Sequence, residues 1–518
     1  MISLVIFIAV IATGFQSTSW NDLSRLASID SLMYFHIPWV DHSLYFNYGD
    51  IIYHQGHFYS DKMPMLSWYS FVLMYPIKFF LDFHSVMGQK LMYFLITLTS
   101  SGLSVCLIFV ILVRIAKLLG QNESYANSLS FKSITGTLII PYIGVYISSL
   151  VEAVLGLGVF YILLLYREKT SVSQGILSGL LIGICFTIHP LSGAAFTLST
   201  IIYYFARRRF KQGLLCAGTI IIFIGLFLGL HAKIYNQVLP LYFSPEKYTY
   251  LKKDGTLRTT ITVPGLKRAK LENQLKEVGI KNDRIQETLR EYDSFRNESA
   301  NPFKYIADIF YLFDYVTFTP LTILCFFFLL KLVFKSDDKY RAEFLWVFIS
   351  IVTIFAGMLY LRAQPGTCFG NRYVIPVLPI VVATSAVILN EKRRYSMFNF
   401  FFCLSFPIML PGTLRPCRFP GHYFKLNIVV PLAAVLALTL IFTISAIKKG
   451  FYEMLSFFEN HRIFTFIIVA GIIALELILF FIGTPISTGD LIRIQCYVGI
   501  FFVWSLYYLN KRSDHLFS

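Results

Sequence analysis

The sequence predicts an all-α fold, a polytopic transmembrane helical bundle of about 13 or 14 spans with a long first outer loop that contains interfacial helices. The 518 residues are 56% hydrophobic and only 14% charged, whereas soluble domains carry about 25% charged residues. Mean hydropathy is +0.64. Several apolar runs have the ~20 residues that a helix needs to cross a ~30 Å hydrocarbon core. A membrane β-barrel would instead show alternating segments of about 10 residues.

The formal net charge of +16 indicates membrane topology and does not predict nucleic-acid binding. Lys and Arg cluster in short loops at the ends of apolar runs, which is typical of loops on the cytoplasmic side. If every basic loop is cytoplasmic, the spans between these loops come in pairs and the first loop is extracytoplasmic. We therefore expect a multi-pass protein of the cell membrane, or of the ER membrane if the source is eukaryotic. The basic loops lie at 114–117, 167–169, 207–211, 331–341, 392–394, 448–449 and 511–512.

The spans divide the chain into three regions. Residues 1–231 form an N-terminal membrane module, whose first outer loop, 16–89, is the expected catalytic loop. Residues 232–305 form an extracytoplasmic polar loop, with one or two surface helices expected in its segment 264–295. Residues 306–518 supply the C-terminal membrane helices.

Three predictions concern local structure in the membrane module. The run 65–81 is apolar but interrupted, so we expect it to lie in the interface without crossing. The runs 134–149 and 151–166 are expected to form a tight helical hairpin that exposes Glu152 at its turn. The run 174–205 is expected to break into two halves at His189-Pro190, because proline disrupts a helix interior.

The first outer loop concentrates the ionisable residues of an otherwise apolar chain. Such a cluster beside a bilayer is costly unless it faces water, a ligand or its own counter-charges. A carboxylate there can act as general base toward an acceptor hydroxyl or amine, and a neighbouring lysine can neutralise a phosphate leaving group. A solvated loop with incidental charges is the alternative. The residues are Asp22, Arg25, Asp30, His36, Asp41, His42, Asp50, His54, His57, Asp61 and Lys62.

Other polar positions are candidates with two interpretations each. Arg372 lies where a loop enters a late span, and its guanidinium either snorkels to the interface or clamps a phosphate bidentately. Glu152 and His189 are functional groups or satisfied packing groups of the bundle. The four loop histidines show no spacing diagnostic of zinc, so the sequence requires no cofactor and leaves a divalent metal open.

Two motifs resemble those of polytopic GT-C glycosyltransferases, including the protein O-mannosyltransferase and aminoarabinose transferase branches and their bacterial relatives. The first is S-R-L-A-S-I-D-S-L … W-V-D … G-D-I-I-Y-H-Q-G-H-F-Y-S-D-K-M-P in the first outer loop. The second is R-Y-V-I-P-V-L-P at 372–379. The resemblance implies transfer of a sugar from a polyprenyl-phosphate carrier on the extracytoplasmic side.

The resemblance also implies roles for individual residues. Asp41 matches the catalytic base, Asp61 matches the acidic residue that holds a metal or the acceptor, and Lys62 matches the lysine near the carrier phosphate. This chain has Met63-Pro64 where the group has Pro-Pro, and Asp41 lies in a W-V-D-H setting. Asp30 and Asp50 therefore stay open as alternative bases.

The predicted function is that of a membrane glycosyltransferase. Its partners are a polyprenyl-phosphate sugar, the lipid bilayer and a protein, lipid or glycan acceptor. The alternative is a multi-pass transporter or flippase, which requires broken helices near the bilayer midplane; a glycan polymerase or ligase that uses a carrier diphosphate is a third class. The predicted catalytic residues are Asp41, Asp61 and Lys62, and the predicted substrate-binding residues are Arg25, Asp30, Asp50, His57 and Arg372.

Overall fold

The computed structural model describes residues 19–46, 50–243, 319–334, 339–361 and 371–389, with shorter stretches of 249–299 and isolated positions in 1–10 and 394–409. The spans predicted beyond residue 409 lie outside this part of the chain.

The predicted helical membrane fold is confirmed. Within the described residues, four helices are long and apolar enough to cross a bilayer: Val86–Leu118, Ser148–Leu165, Phe210–Tyr235 and Arg341–Leu359. The first of these spans contains both α3 and α4 of the following list. In chain order the helices of the first 243 residues are α1 (Trp20–Asp30), α2 (Met65–Met74), α3 (Val86–Thr97), α4 (Leu103–Leu118), α5 (Glu123–Thr135), α6 (Ser148–Leu165), α7 (Val172–Ile188), α8 (Pro190–Ala206) and α9 (Phe210–Tyr235). The later helices are α10 (Arg268–Glu277), α11 (Asn282–Ser299), α12 (Pro320–Phe334), α13 (Arg341–Leu361) and α14 (Leu378–Thr384).

The helical hairpin predicted for 134–149 and 151–166 is wrong in its first half. Helix α5 ends at Thr135, and the only helical turn before α6 is the 3₁₀ turn Ile140–Tyr142. Pro141 in this turn lacks the amide that a continuing helix needs. The segment is nevertheless buried, so its apolar character reflects a place inside the bundle. Glu152, expected at an exposed turn, is only 2% exposed.

The break predicted at His189-Pro190 is confirmed. His189 has extended φ and ψ values of −152° and 108°, and Pro190 opens α8. Pro fits this first helical position because the amide it lacks would have no partner within the helix.

The basic helix ends meet at one end of the bundle. Arg207 Nη2 lies 2.8 Å from Glu343 Oε1, and Arg209 donates to the Tyr166 carbonyl at 2.7 Å. Tyr166 follows the last residue of α6, and Ser148 is the first residue of this helix. The Ser148 hydroxyl accepts from Arg25 Nη2 at 3.5 Å. The first loop and the basic segments around Arg167 and Arg207 therefore lie at opposite ends of α6, as the charge pattern predicts.

The first loop contains a helix and a two-stranded hairpin. Ser19 and Asp22 form a capping box at the start of α1. Strand β1 (Ile51–His54) pairs antiparallel with β2 (His57–Ser60). The φ values of Gln55 and Gly56 are 50° and 87°, which is the two-residue type I′ geometry that suits hairpins. Glycine supplies the second of these positive values at little steric cost.

The apolar run 65–81 forms α2 and a 3₁₀ turn, Ile77–Phe79. Helix α2 has 10 residues, about half the length that crosses a hydrocarbon core. Phe79 and Phe80 are 70% and 87% exposed. The interfacial placement of this run stays a prediction that its length and exposed aromatic rings support.

The polar loop contains the surface helices that the sequence predicts. Strands β3 (Thr249–Leu251) and β4 (Leu257–Thr259) form a second hairpin, followed by α10 and α11. Leu275, Ile285 and Leu289 are buried in one apolar cluster with side chains of the first loop, such as Ile51 and Tyr53. The polar loop and the first loop thus share a core.

Candidate functional site

The β1–β2 hairpin has two faces of different composition, because successive side chains of a strand point to opposite sides. Ile51, Tyr53 and Phe58 pack with α1 in the core of the first loop. The opposite face, here called the site face, carries the residues at the alternating positions. These are Asp50, Ile52 and His54 on the first strand and His57, Tyr59 and Asp61 on the second.

Asp50, Asp61 and Lys62 meet at the base of the hairpin. The Lys62 ammonium lies 2.7 Å from Asp50 Oδ2 and 2.8 Å from Asp61 Oδ1. The two aspartates face each other across the strands, since the Asp61 amide donates to the Asp50 carbonyl at 3.2 Å. The side chains of Lys62, Asp50 and Asp61 are 12%, 11% and 2% exposed. We call this group the Lys62 site.

Lys62 keeps its positive charge in this buried place. Burial alone lowers the pKa of Lys62, but the charges of Asp50 and Asp61 and their hydrogen bonds outweigh it, so the pKa lies above its ordinary value. A fixed, charged ammonium can stabilise an anion that develops beside it.

Ser24 of α1 forms hydrogen bonds to the base of the hairpin. Its hydroxyl donates to the Asp50 carbonyl and lies 2.7 Å from Ser60 Oγ. The same helix carries the capping box at its start, so a single short helix supports the backbone that presents Asp50. No motif in the sequence assigned this role to Ser24.

Asp41 lies near the turn end of the hairpin, away from the Lys62 site. Its Oδ1 accepts from the Phe58 amide at 2.7 Å, and its Oδ2 lies 2.6 Å from His57 Nδ1. The Val40 amide donates to the Phe58 carbonyl at 2.7 Å. The structure therefore groups Asp50 with Asp61 and Lys62, and groups Asp41 with His57.

Asp30 ties two parts of the first loop together. Its Oδ2 accepts from the Leu44 amide at 3.0 Å, and its Oδ1 lies 3.0 Å from His84 Nε2. The residue is 1% exposed, and the His84 ring lies against Tyr34 with a centroid distance of 4.0 Å. These contacts favour a positioning role for Asp30 over contact with a substrate.

Arg25 is buried at the junction of the first loop and α6. It is 4% exposed, and its Nε and Nη1 atoms have no hydrogen-bond partner among the described residues. Asp22, one turn earlier, is also buried. Burial raises the pKa of Asp22 to about 7, although hydrogen bonds from Ser19 and the charge of Arg25 act in the opposite direction.

Arg372 opens a 3₁₀ turn beside the α7–α8 break. Its guanidinium lies 5.4 Å from the centre of the Tyr373 ring, which stacks on His189 at 5.8 Å. His189 Nδ1 is 3.4 Å from Glu152 Oε2, which also accepts from the Ser192 hydroxyl at 2.5 Å. Ser148, which contacts Arg25, and Glu152, which contacts His189, are one helical turn apart in α6 and lie on the same face of that helix. The side chains around Arg25 and those around Arg372 therefore approach the same helix face.

The sequence left a divalent metal open. In the part of the chain that the structure describes, no group of three or more His, Cys, Asp or Glu side chains is arranged to hold a metal ion. Asp50 and Asp61, which face each other, hold the Lys62 ammonium between them.

No family model matches the chain, and no curated protein matches it. Among solved structures, the crystal structure of ArnT from Cupriavidus metallidurans bound to undecaprenyl phosphate has a TM-score of 0.46 and 11% identity, covering 87% of this chain and 76% of that one. The Archaeoglobus fulgidus oligosaccharyltransferase tethered with an acceptor peptide has a TM-score of 0.41 and 13% identity. The likeness covers 87% of this chain but 55% of the oligosaccharyltransferase.

Both neighbours are GT-C glycosyltransferases, the group that the loop motifs resemble. With TM-scores below 0.5 and identities of 11% and 13%, neither likeness is evidence for the function of this chain.

Sequence reasoning missed the hairpin and the supporting residues Ser24 and His84. The segment I-I-Y-H-Q-G-H-F-Y-S carries β-branched and aromatic residues around a two-residue turn that ends in glycine. This pattern is a recognised hairpin signal, so the hairpin was predictable. The serine and the histidine act through contacts distant in the sequence, and no local pattern marks them.

Proposed function

We propose that this chain is a membrane glycosyltransferase, which transfers a sugar from a polyprenyl-phosphate carrier to an acceptor on the extracytoplasmic side of the cell membrane. The observation that carries the proposal is the Lys62 site. It is a buried ammonium fixed by two carboxylates, three residues before the apolar run 65–81, which we expect to lie in the interface. A carrier whose phosphate lies at the bilayer surface needs a cation at that depth.

The proposed reaction is a direct displacement. The acceptor oxygen or nitrogen forms a bond to the anomeric carbon, while the bond from that carbon to the phosphate oxygen breaks. The carrier phosphate leaves with the electron pair, and Lys62 stabilises its growing charge. A base on the hairpin takes the acceptor proton. Arg372 is proposed as a second cation for the phosphate, since guanidinium binds phosphate bidentately.

Asp50 and Asp61 act mainly on Lys62 in this proposal. Together they raise the pKa of Lys62 against the effect of burial. They also fix the position of the ammonium before the carrier binds, so little reorganisation is needed when charge develops.

Lys62→Met tests the proposal in proteoliposomes supplied with a radiolabelled polyprenyl-phosphate sugar. Loss of a positioned charge-stabilising group lowers kcat by about 10²–10³-fold, and we expect a fall of this size. Lys90→Met, at an exposed lysine, is the matched control and should keep its activity.

Lys62→Met leaves two buried carboxylates unpaired, which can itself unfold the loop. The triple variant Asp50→Asn, Lys62→Met, Asp61→Asn removes all three charges at nearly constant shape. We expect this variant to fold and to be inactive. Transfer at the native rate by either variant would contradict the proposed role of Lys62.

One observation favours the alternative of a transporter. The helix break at His189 carries a buried pair, Glu152 and His189, and transporters place ionisable groups at broken helices. Uptake of a soluble substrate into proteoliposomes without any lipid-linked donor would support this alternative, and transfer without uptake would exclude it.

A further inference from the structure

The Asp41 carboxylate is already engaged at both oxygens. Oδ1 accepts from the Phe58 amide and Oδ2 faces His57 Nδ1. Asp41 is also the less accessible partner, with side-chain exposures of 23% for Asp41 and 41% for His57. A ring nitrogen that faces a carboxylate carries the proton, so in the neutral imidazole the opposite nitrogen, Nε2, is the basic one.

The His57 ring is held in a fixed orientation. Trp39 stacks on it with a centroid distance of 4.3 Å and an interplanar angle of 16°. Trp39 in turn packs against Ile52, Tyr59 and Leu241. The backbone of His57 is fixed by its pairing with His54 next to the tight turn. Such support is what a catalytic group needs to keep its geometry.

His57 and the Lys62 site lie at opposite ends of one face of the hairpin. His57 and Asp61 are four residues apart in the sequence, which is about 13 Å along a strand. In-line attack requires the base and the phosphate on opposite sides of the anomeric carbon, and this arrangement keeps the two groups apart.

We propose that His57 Nε2 is the base that takes the acceptor proton and that Asp41 is a positioning residue for His57. This inference rests on the proposed glycosyl transfer. The acceptor O–H or N–H proton moves to Nε2 as the acceptor atom bonds to the anomeric carbon, and the phosphate leaves toward Lys62. Asp41 holds the Nδ1 proton and stabilises the imidazolium that forms. The resemblance implied instead that Asp41 is itself the base.

The first test compares His57→Ala, His57→Gln and Asp41→Asn in the proteoliposome assay. We expect each His57 variant to lower kcat by about 10²–10⁴-fold, with the KM for the lipid donor nearly unchanged. Added imidazole should restore part of the activity of His57→Ala and none of that of Asp41→Asn. The double variant should be no slower than the slower single variant, since groups acting as one unit are not additive. His42→Ala, an exposed histidine next to Asp41, is the matched control.

The second test is the pH profile of kcat. The profile of the native chain should differ from that of His57→Gln, which has no imidazole at this position. The titratable groups next to His57 are Asp41, which it contacts, His54 across the hairpin, and Tyr59 on the same face.

Full activity of His57→Gln beside an inactive Asp41→Asn would overturn the inference and make Asp41 the base. Glutamine can keep both the stacking on Trp39 and a hydrogen bond to Asp41, so it also separates lost chemistry from lost folding. If Lys62→Met is inactive while both His57 variants are active, only the inference fails. If the native chain transfers no sugar from the lipid donor, the proposed function and the inference fail together.

Discussion

At the scale of single residues, the first loop contains ionisable groups in very different surroundings. Lys62 is buried between two carboxylates that keep it charged. Asp22 is buried beside Arg25, and burial dominates, so the pKa of Asp22 rises to about 7. The sequence shows these residues as one polar cluster. In the folded chain they differ, because Lys62 is charged between its two carboxylates, whereas Asp22 holds a proton below neutral pH.

Asp22 should make the stability of the protein depend on pH. Because its folded-state pKa lies above its ordinary value of 3.8, the folded chain holds a proton that the unfolded chain has released. Stability from this group therefore falls as pH rises from about 4 to 7 and is level above that. In detergent, we expect the Tm of the native chain to fall over this range relative to that of Asp22→Asn. Equal pH slopes for the two proteins would contradict this expectation; Asp283→Asn, at an exposed aspartate, is the control.

At the scale of elements, hydropathy predicted the positions of the apolar segments better than it predicted their backbone conformation. The break at His189 agrees with the sequence. The segment between α5 and α6 does not, because apolar composition reports an apolar environment and does not by itself specify a helical backbone. The site was predictable in part: composition marked the first loop, but the strand register that places Asp50 beside Asp61 depends on a hairpin that hydropathy alone does not show.

Close packing at the α7–α8 break gives a test at this scale. A methyl group at Gly193 would lie 2.4 Å from the Phe186 Cα, so Gly193→Ala must displace α7. Overpacking of this kind costs about 1–3 kcal/mol, and we expect a lower Tm. Gly229 in α9 has open space around it, and Gly229→Ala should be neutral or stabilising because alanine favours helix. A Tm for Gly193→Ala at or above that of Gly229→Ala would disprove the tight contact.

At the scale of the whole molecule, the chain is polarised along α6. Arg207 and Glu343 meet at one end of the bundle, while Arg25 and the hairpin lie at the other. Charge clusters in the sequence were sufficient to predict this arrangement. The contact between the polar loop and the first loop was not predictable, because Leu275 and Ile51 are far apart in the chain and share a core only through tertiary packing.

Sidedness can be measured with a membrane-impermeant maleimide. Ser85 precedes α3 at the hairpin end, and Ser173 lies in the first turn of α7 near the basic end; both are exposed. We expect Ser85→Cys to be labelled on intact cells and Ser173→Cys only after permeabilisation, because basic loops stay cytoplasmic. The native chain gives the background from its own cysteines. The reverse labelling pattern would place the Lys62 site in the cytoplasm.

The two faces of the β1–β2 hairpin have a consequence for how this loop can evolve. Alternate positions along each strand have different surroundings, with the core of the first loop on one side and Asp50, His57 and Asp61 on the other. A single inserted or deleted residue would exchange the two sets at once. We therefore expect the strands to change by substitution and not by insertion or deletion. The kinds of substitution that each residue tolerates should alternate along the strand. Variation in length must occur outside the strands.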